Sequence, residues 1–177
     1  MASYQPTNTA PVLIAVDLQQ HSSETLKQGF ALARKRNTQA IVLHVVHETV
    51  ETAGFYRSHA SRMSTLPMED IAESMLRDLL NSELERLPAA DRPSKIGHKL
   101  VHGVPGLRIA EVAEQLDACC IVLGCTGCTG LARLWRGSVE DSLRKHTQRE
   151  LFMVEATTPS LHEPVTSPAA HIPQSAH

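Results

Sequence analysis

The chain has 177 residues, of which 42% are hydrophobic and 20% charged, and its formal net charge is −2. This suits one soluble globular domain with a real core, and it gives non-specific binding to nucleic acid or an anionic membrane no electrostatic support. Aromatic residues make up only 3%, so Val, Ile, Leu and Ala must fill that core.

Residues 1–11 are short and polar and read as a flexible leader, without the charged start and apolar stretch of a secretion signal. No apolar run approaches the roughly 18 residues that a membrane span needs. A cytoplasmic protein is therefore expected, with its four cysteines as reduced thiols.

Val12-Leu-Ile-Ala-Val16 is a continuous apolar run ended by Asp17. Ala40 to Val46 and Cys119 to Gly124 are two more. Short, β-branched and unalternating, they predict strands buried on both faces, as in a parallel sheet. Lys95–Val101 is a weaker strand and Leu151–Val154 a short final one.

Helical spacing lies between these runs. Ser22 is the expected N-cap of a helix carrying Leu26, Phe30 and Ala33. Asp70–Leu87 carries the rows Ile71, Met75, Leu79 and Leu76, Leu80, Leu84, and Pro88 stops it. Ile109, Val112, Ala113 and Leu116 follow Pro105, a residue suited to a first helical turn. Val139 and Leu143 mark a helix capped by Ser138. Residues 47–69 are the least patterned part of the core and predict a long mobile excursion. Residues 156–177, rich in Pro, Ser, Thr, Ala and His, read as a disordered tail.

The order β-α-β-α-β-α-β-α-β over 12–155 predicts an α/β fold: one open parallel sheet with right-handed crossovers and helices on both faces. Ligands of such sheets bind beyond the carboxyl ends of the strands, at the topological switch point. There the chain reads Gly124-Cys-Thr-Gly127-Cys-Thr-Gly130, then a stretch with Arg133 and Arg136, then Gly137-Ser138 opening a helix. Glycines admit an anion close to the backbone, successive N–H groups form an anion nest, and a helix start adds a positive dipole end. The pattern predicts a phosphate cradle and a bound nucleotide.

Gly124-x-x-Gly127-x9-Gly137-Ser138 resembles the Gly-x2-Gly-x9-Gly-Ser/Thr signature of the ATP-binding branch of the universal stress protein family. The similarity runs from Val12 to about Val154 and takes in Leu43-His44-Val45 and Val101-His-Gly103-x-Pro105. It implies a five-stranded adenine nucleotide α-hydrolase-like fold with strand order 3-2-1-4-5. It also implies a homodimer joined through Leu151–Val154, and a regulatory role in stress response through an unidentified protein partner. By the same resemblance Asp17 lies near the adenine and ribose, with Ala15 in a neighbouring position. The Val45 backbone reads the adenine edge, and Leu123 and Gly124 line the nucleoside end. Gly127, Gly137, Ser138 and Val139 hold the phosphates of ATP and its Mg or Mn. The chain departs from the family at Leu18-Gln19, where Gly-Ser is frequent, at Cys125-Thr126 between the first two motif glycines, and at Arg149-Glu150, where proline often precedes the last strand.

Other candidates are weaker. Cys125-x-x-Cys128 suggests a redox or metal switch inside the loop, and the plainer reading, two small residues fitting a tight turn, is preferred. Cys119-Cys120 reads as a buried, inert strand pair. His44 and His47 point to opposite faces of a strand and do not converge on a metal. No carboxylate pair, Ser-His-Asp arrangement or nucleophile elbow appears, so ATP hydrolysis is expected to be slow at most. A true ATPase or nucleotidyl-transfer enzyme, and a member that has lost its nucleotide, are the alternatives.

Overall fold

The computed structural model describes residues 10–19, 21–47, 67–125 and 137–155. Its strands are β1 (Val12–Val16), β2 (Ala40–Val46), β3 (Ile96–His102), β4 (Cys120–Cys125) and β5 (Glu150–Glu155). They form one parallel sheet in the order β3-β2-β1-β4-β5. The helices among the described residues are α1 (Ser22–Lys35), α2 (Met68–Arg86), α3 (Pro105–Gln115) and α4 (Gly137–His146), with a short 3-10 turn at Ala89–Asp91. None is long and apolar enough to cross a membrane.

Successive strand residues point to opposite faces, so the apolar run of β1 feeds two cores. Val12, Ile14 and Val16 pack with Leu26 and Phe30 of α1 and Leu76 and Leu80 of α2. Leu13 and Ala15 pack with Ile109, Val112 and Ala113 of α3 and Leu143 of α4. Each fully buried Leu, Ile or Phe contributes about 1.5–3 kcal/mol. The continuous apolar strands follow from this two-sided burial, and so does the α/β architecture expected from the sequence.

Element ends differ from expectation by a residue or two. α2 starts at Met68, ahead of Asp70, so residues 67–69 belong to its beginning; 48–66 lie outside the described residues. β3 begins at Ile96 and β4 at Cys120, each one residue late, and β5 gains Glu150 and Glu155. Ser22 does not cap α1. It is the first helical residue, His21 occupies the cap position, and no side chain bonds the cap N–H groups. The Ser22 hydroxyl donates to Asp17 Oδ1 instead, at 2.9 Å. Likewise α4 already begins at Gly137, so Ser138 falls inside its first turn and not at its cap.

Ala10 and Pro11, at the end of the expected leader, are joined to the body. Thr38 Oγ1 donates to the Ala10 carbonyl at 2.7 Å, and the Cys119 amide donates to the Pro11 carbonyl at 2.9 Å. Residues 1–9 and 156–177 lie outside the described residues.

Candidate functional site

β2 lies on one side of β1 and β4 on the other, and the chain runs outward from β1 to β2 and β3 before crossing back past β1 to β4. The carboxyl ends of β1 and β4 therefore flank the switch point. Ala15 pairs in register with Leu43 and Leu123, and Val16 with His44.

Ala15, Val45 and Leu123 all belong to the core on the α3–α4 face. One step inward, Leu13, Leu43 and Ile121 are fully covered, at 0% exposure. Ala15, Val45 and Leu123 are 7%, 9% and 6% exposed. The α3–α4 layer thus begins to uncover the sheet at these three residues. Val139 of α4, half-buried, packs against the same core.

Asp17 follows Ala15 by two residues and is exposed. Its Oδ1 accepts from the Gln19 amide and from the Ser22 hydroxyl, both at 2.9 Å. This ties the β1–α1 turn shut and holds the carboxylate at the strand end. Leu18 adopts φ 61° in the turn. A left-handed conformation costs a non-glycine residue about 1–2 kcal/mol. Glycine would be at ease there, and the Leu18 side chain packs against the apolar cores of the α1–α2 face.

Behind Asp17 sits His44, only 3% exposed, whose Nδ1 donates to the Val16 carbonyl at 2.8 Å. Burial lowers its pKa, partly opposed by that bond and by the Asp17 charge. His47 turns elsewhere, its Nδ1 lying 3.1 Å from the Gly103 carbonyl oxygen. The Gly103 amide donates to the Val46 carbonyl at 3.0 Å with φ 131°, a conformation that favours glycine. The β3–α3 turn is so laced to the end of β2. The two histidines serve different carbonyls.

Gly124 ends the buried part of β4 beside α1. A Cβ built there would lie 2.5 Å from Thr25 Oγ1. Close packing of α1 on the strand end therefore calls for glycine at this position.

The described residues thus bring Ala15, Asp17, Val45, Leu123, Gly124 and Val139 to one end of the sheet. Gly137 opens α4, but its surroundings and the side chain of Ser138 are outside the description, as are Gly127 and Cys128 and the side chain of Cys125. Among the described residues no three His, Cys, Asp or Glu side chains converge as a metal site. The donor set here is apolar walls, one exposed carboxylate and a helix start. That fits the nucleoside half of a nucleotide and offers a divalent cation no cage of its own. Sequence reasoning reads His44 as a structural or capping residue, which its bond to the Val16 carbonyl bears out, and Ser22 as a helix cap; it missed Thr25 as a support of these strand ends. Two clefts lie elsewhere: about 500 Å³ between α1 and β5, and about 600 Å³ around Arg144–Arg149.

The universal stress protein family model matches residues 9–155. The chain is 27% identical over 154 residues to Universal stress protein Sll1388 of Synechocystis sp., covering 81% of this chain and 96% of that one. It is similar in fold to a universal stress protein in complex with cAMP, with a TM-score of 0.58 and 18% identity over 83% of this chain and 97% of that one. It is also similar to the universal stress protein from Archaeoglobus fulgidus in complex with dAMP, with a TM-score of 0.55 and 17% identity over 83% and 98% of the two chains.

Proposed function

The chain belongs to the universal stress protein family, and on that premise we propose that it is an adenine-nucleotide-binding regulatory module. It holds ATP with Mg or Mn and turns it over slowly at most. One arrangement carries this function: Ala15, Val45 and Leu123, slightly less covered than the residues one step inward, lie at the sheet end where the exposed Asp17 carboxylate follows β1. Apolar side chains suit the faces of a purine, and a carboxylate suits the hydroxyls of a ribose. Two relatives of the same fold hold cAMP and dAMP.

In this function the Asp17 carboxylate accepts from ribose hydroxyls while Gln19 and Ser22 fix its orientation. The Val45 backbone meets the adenine edge. Leu123 and Gly124 border the nucleoside, and Gly127, Gly137, Ser138 and Val139 receive the phosphates at the start of α4. The cation neutralises phosphate charge and is carried by the phosphates. Two copies join through Leu151–Val154 on edge strand β5, and the dimer acts in the cytoplasm, in stress response, through a protein partner.

The test is to purify the full-length protein, identify co-purifying nucleotide by mass spectrometry, and titrate ATP, ADP, AMP and cAMP with and without Mg, beside a Gly127→Val/Gly137→Val variant. Bound adenine nucleotide in the wild type, lost in the variant, is the expected result. No nucleotide and no titratable binding would leave a dimeric interaction protein. Sustained turnover of several per second would mark a true ATPase.

A further inference from the structure

The sequence places Cys119 and Cys120 together in a strand, where neighbours point to opposite faces. The structure departs from this. β4 begins at Cys120, so Cys119 lies just outside the ladder. Both cysteines pack on the α1–α2 face, and their sulfurs are 3.8 Å apart. Cys120 is fully buried, while Cys119 is half-buried.

A cation stands beside them. The Arg36 guanidinium stands close enough to the two cysteines for their charges to act on it, and it donates to Glu150 Oε2 at 2.7 Å. It also stacks over the Phe152 ring at 5.3 Å. The Arg36 and Glu150 side chains are 28% and 56% exposed, so the rim of the cluster is open to solvent. The cluster lies at the amino ends of β4 and β5, opposite the strand ends that carry Asp17.

We propose that Cys119 and Cys120 form a peroxide-reactive vicinal dithiol, with Cys119 as the attacking thiol, Arg36 as its charge partner and Cys120 as the resolving thiol. Cys119 is the more exposed of the two sulfurs, so peroxide reaches it first, and the attacking species is the thiolate. The Arg36 charge repels a divalent cation, so a neutral electrophile such as hydrogen peroxide is the better-matched reactant. In the first step the Cys119 thiolate attacks one peroxide oxygen and the O–O bond breaks. Cys119 becomes a sulfenic acid, and the leaving hydroxide takes up a proton to become water. In the second step the Cys120 sulfur attacks the Cys119 sulfur, an S–S bond forms, the S–O bond breaks, and the leaving hydroxide takes the Cys120 proton as a second water. Two thiols are oxidised by two electrons and one peroxide is reduced.

Burial and the neighbouring Cys119 push the Cys120 thiol up to about 12. Cys120 is therefore a poor attacker of free peroxide, and it reacts only with a sulfenic acid held beside it, handing its proton to the leaving hydroxide as it attacks. Adjacent Cα atoms are about 3.8 Å apart across a trans peptide, below the roughly 4.4 Å lower limit usual for disulfides. A bridge here is readily reduced by thiols, which makes the oxidation reversible.

The experiment treats the full-length protein with one equivalent of hydrogen peroxide, alkylates it under denaturing, non-reducing conditions and sequences the peptide carrying all four cysteines by tandem mass spectrometry. The expected result is loss of two hydrogen masses confined to Cys119–Cys120, reversed by dithiothreitol. Cys120→Ser should instead leave a dimedone-trappable sulfenic acid on Cys119, and Arg36→Gln should slow the oxidation. A Cys125→Ser/Cys128→Ser variant, which keeps only the proposed pair, should form the same bridge. Free alkylation of both Cys119 and Cys120 after peroxide, or a bridge from either to Cys125, Cys128 or a second chain, would overturn the proposal.

Discussion

Thr25 occupies the space that a side chain on Gly124 would need. A Cβ at Gly124 would lie 2.5 Å from Thr25 Oγ1, and that hydroxyl is engaged with the His21 carbonyl at 3.1 Å. Gly124→Ala should therefore destabilise the protein by about 1–3 kcal/mol, the usual cost of overpacking. It should also weaken nucleotide binding, because Gly124 lies near the carboxyl end of β4 at the proposed site. Gly124→Ala/Thr25→Ala should recover most of both losses. Urea unfolding and nucleotide titration of the two variants check this, and a double variant as weak as the single one would refute the steric account.

Asp17 has two separable duties. Its Oδ1 closes the turn through Gln19 and Ser22, and its charge faces solvent at the strand end. Asp17→Asn keeps an acceptor for the turn and removes the charge. Unfolding stability should stay within about 0.5–1.5 kcal/mol, the scale of one hydrogen bond. Nucleotide affinity should fall about tenfold, which corresponds to 1.4 kcal/mol. Calorimetric titration beside thermal unfolding separates the two. Unchanged affinity would remove Asp17 from the site.

His44 makes stability depend on pH. Burial holds its pKa below the usual 6.5, so the folded state keeps the imidazole neutral while the unfolded state takes up a proton. The contribution is fully present above about pH 6.5 and is lost as pH falls from there through the folded value. The wild-type urea midpoint should decline between pH 7 and pH 5, and that slope should flatten in His44→Gln. Parallel slopes would assign the decline to other groups.

Glu83 of α2 is 0% exposed. Its Oε1 accepts from Ser23 Oγ at 2.6 Å and from Arg86 at 2.7 Å, while Oε2 has no partner among the described residues. Arg86 is 66% exposed, so solvent weakens that pairing. Glu83→Ala should cost about 2 kcal/mol through the volume lost. Glu83→Met, of similar volume, should lie within about 1 kcal/mol of the wild type or be more stable, because it removes a desolvated charge. Equal losses in both would show that the Ser23 bond, and not the filled volume, joins α1 to α2.

The sheet and its layers follow from the apolar pattern of the chain. A run such as Val12–Val16 has no polar side, so it must be covered on both faces, and the rows Leu26–Phe30–Ala33 and Ile109–Val112–Ala113 supply the covers. The alternation of strands and helices fixes a parallel sheet. The strand order came from the family resemblance, because alternation is compatible with other orders. Asp17, Val45 and Gly124 were legible as strand-end residues, whereas Ala15 and Leu123 came from the family resemblance.

What surrounds those residues was decided by tertiary structure. Ser22 obeys the local rule for a helix cap, yet it falls inside the helix, and the turn brings the Asp17 carboxylate within 2.9 Å of its hydroxyl. Glu83 reads as one more charge on an amphipathic helix, and it is buried because α1 lies across it, with Ser23 sixty positions away in the chain. Cys119 and Cys120 read as a buried, inert strand pair, and both meet the α1–α2 core because the ladder starts one residue late, at Cys120. Periodicity records which side of an element is covered, since burial acts on each residue separately. Contacts between distant residues depend on how whole layers are placed against one another, and no local pattern encodes that distance.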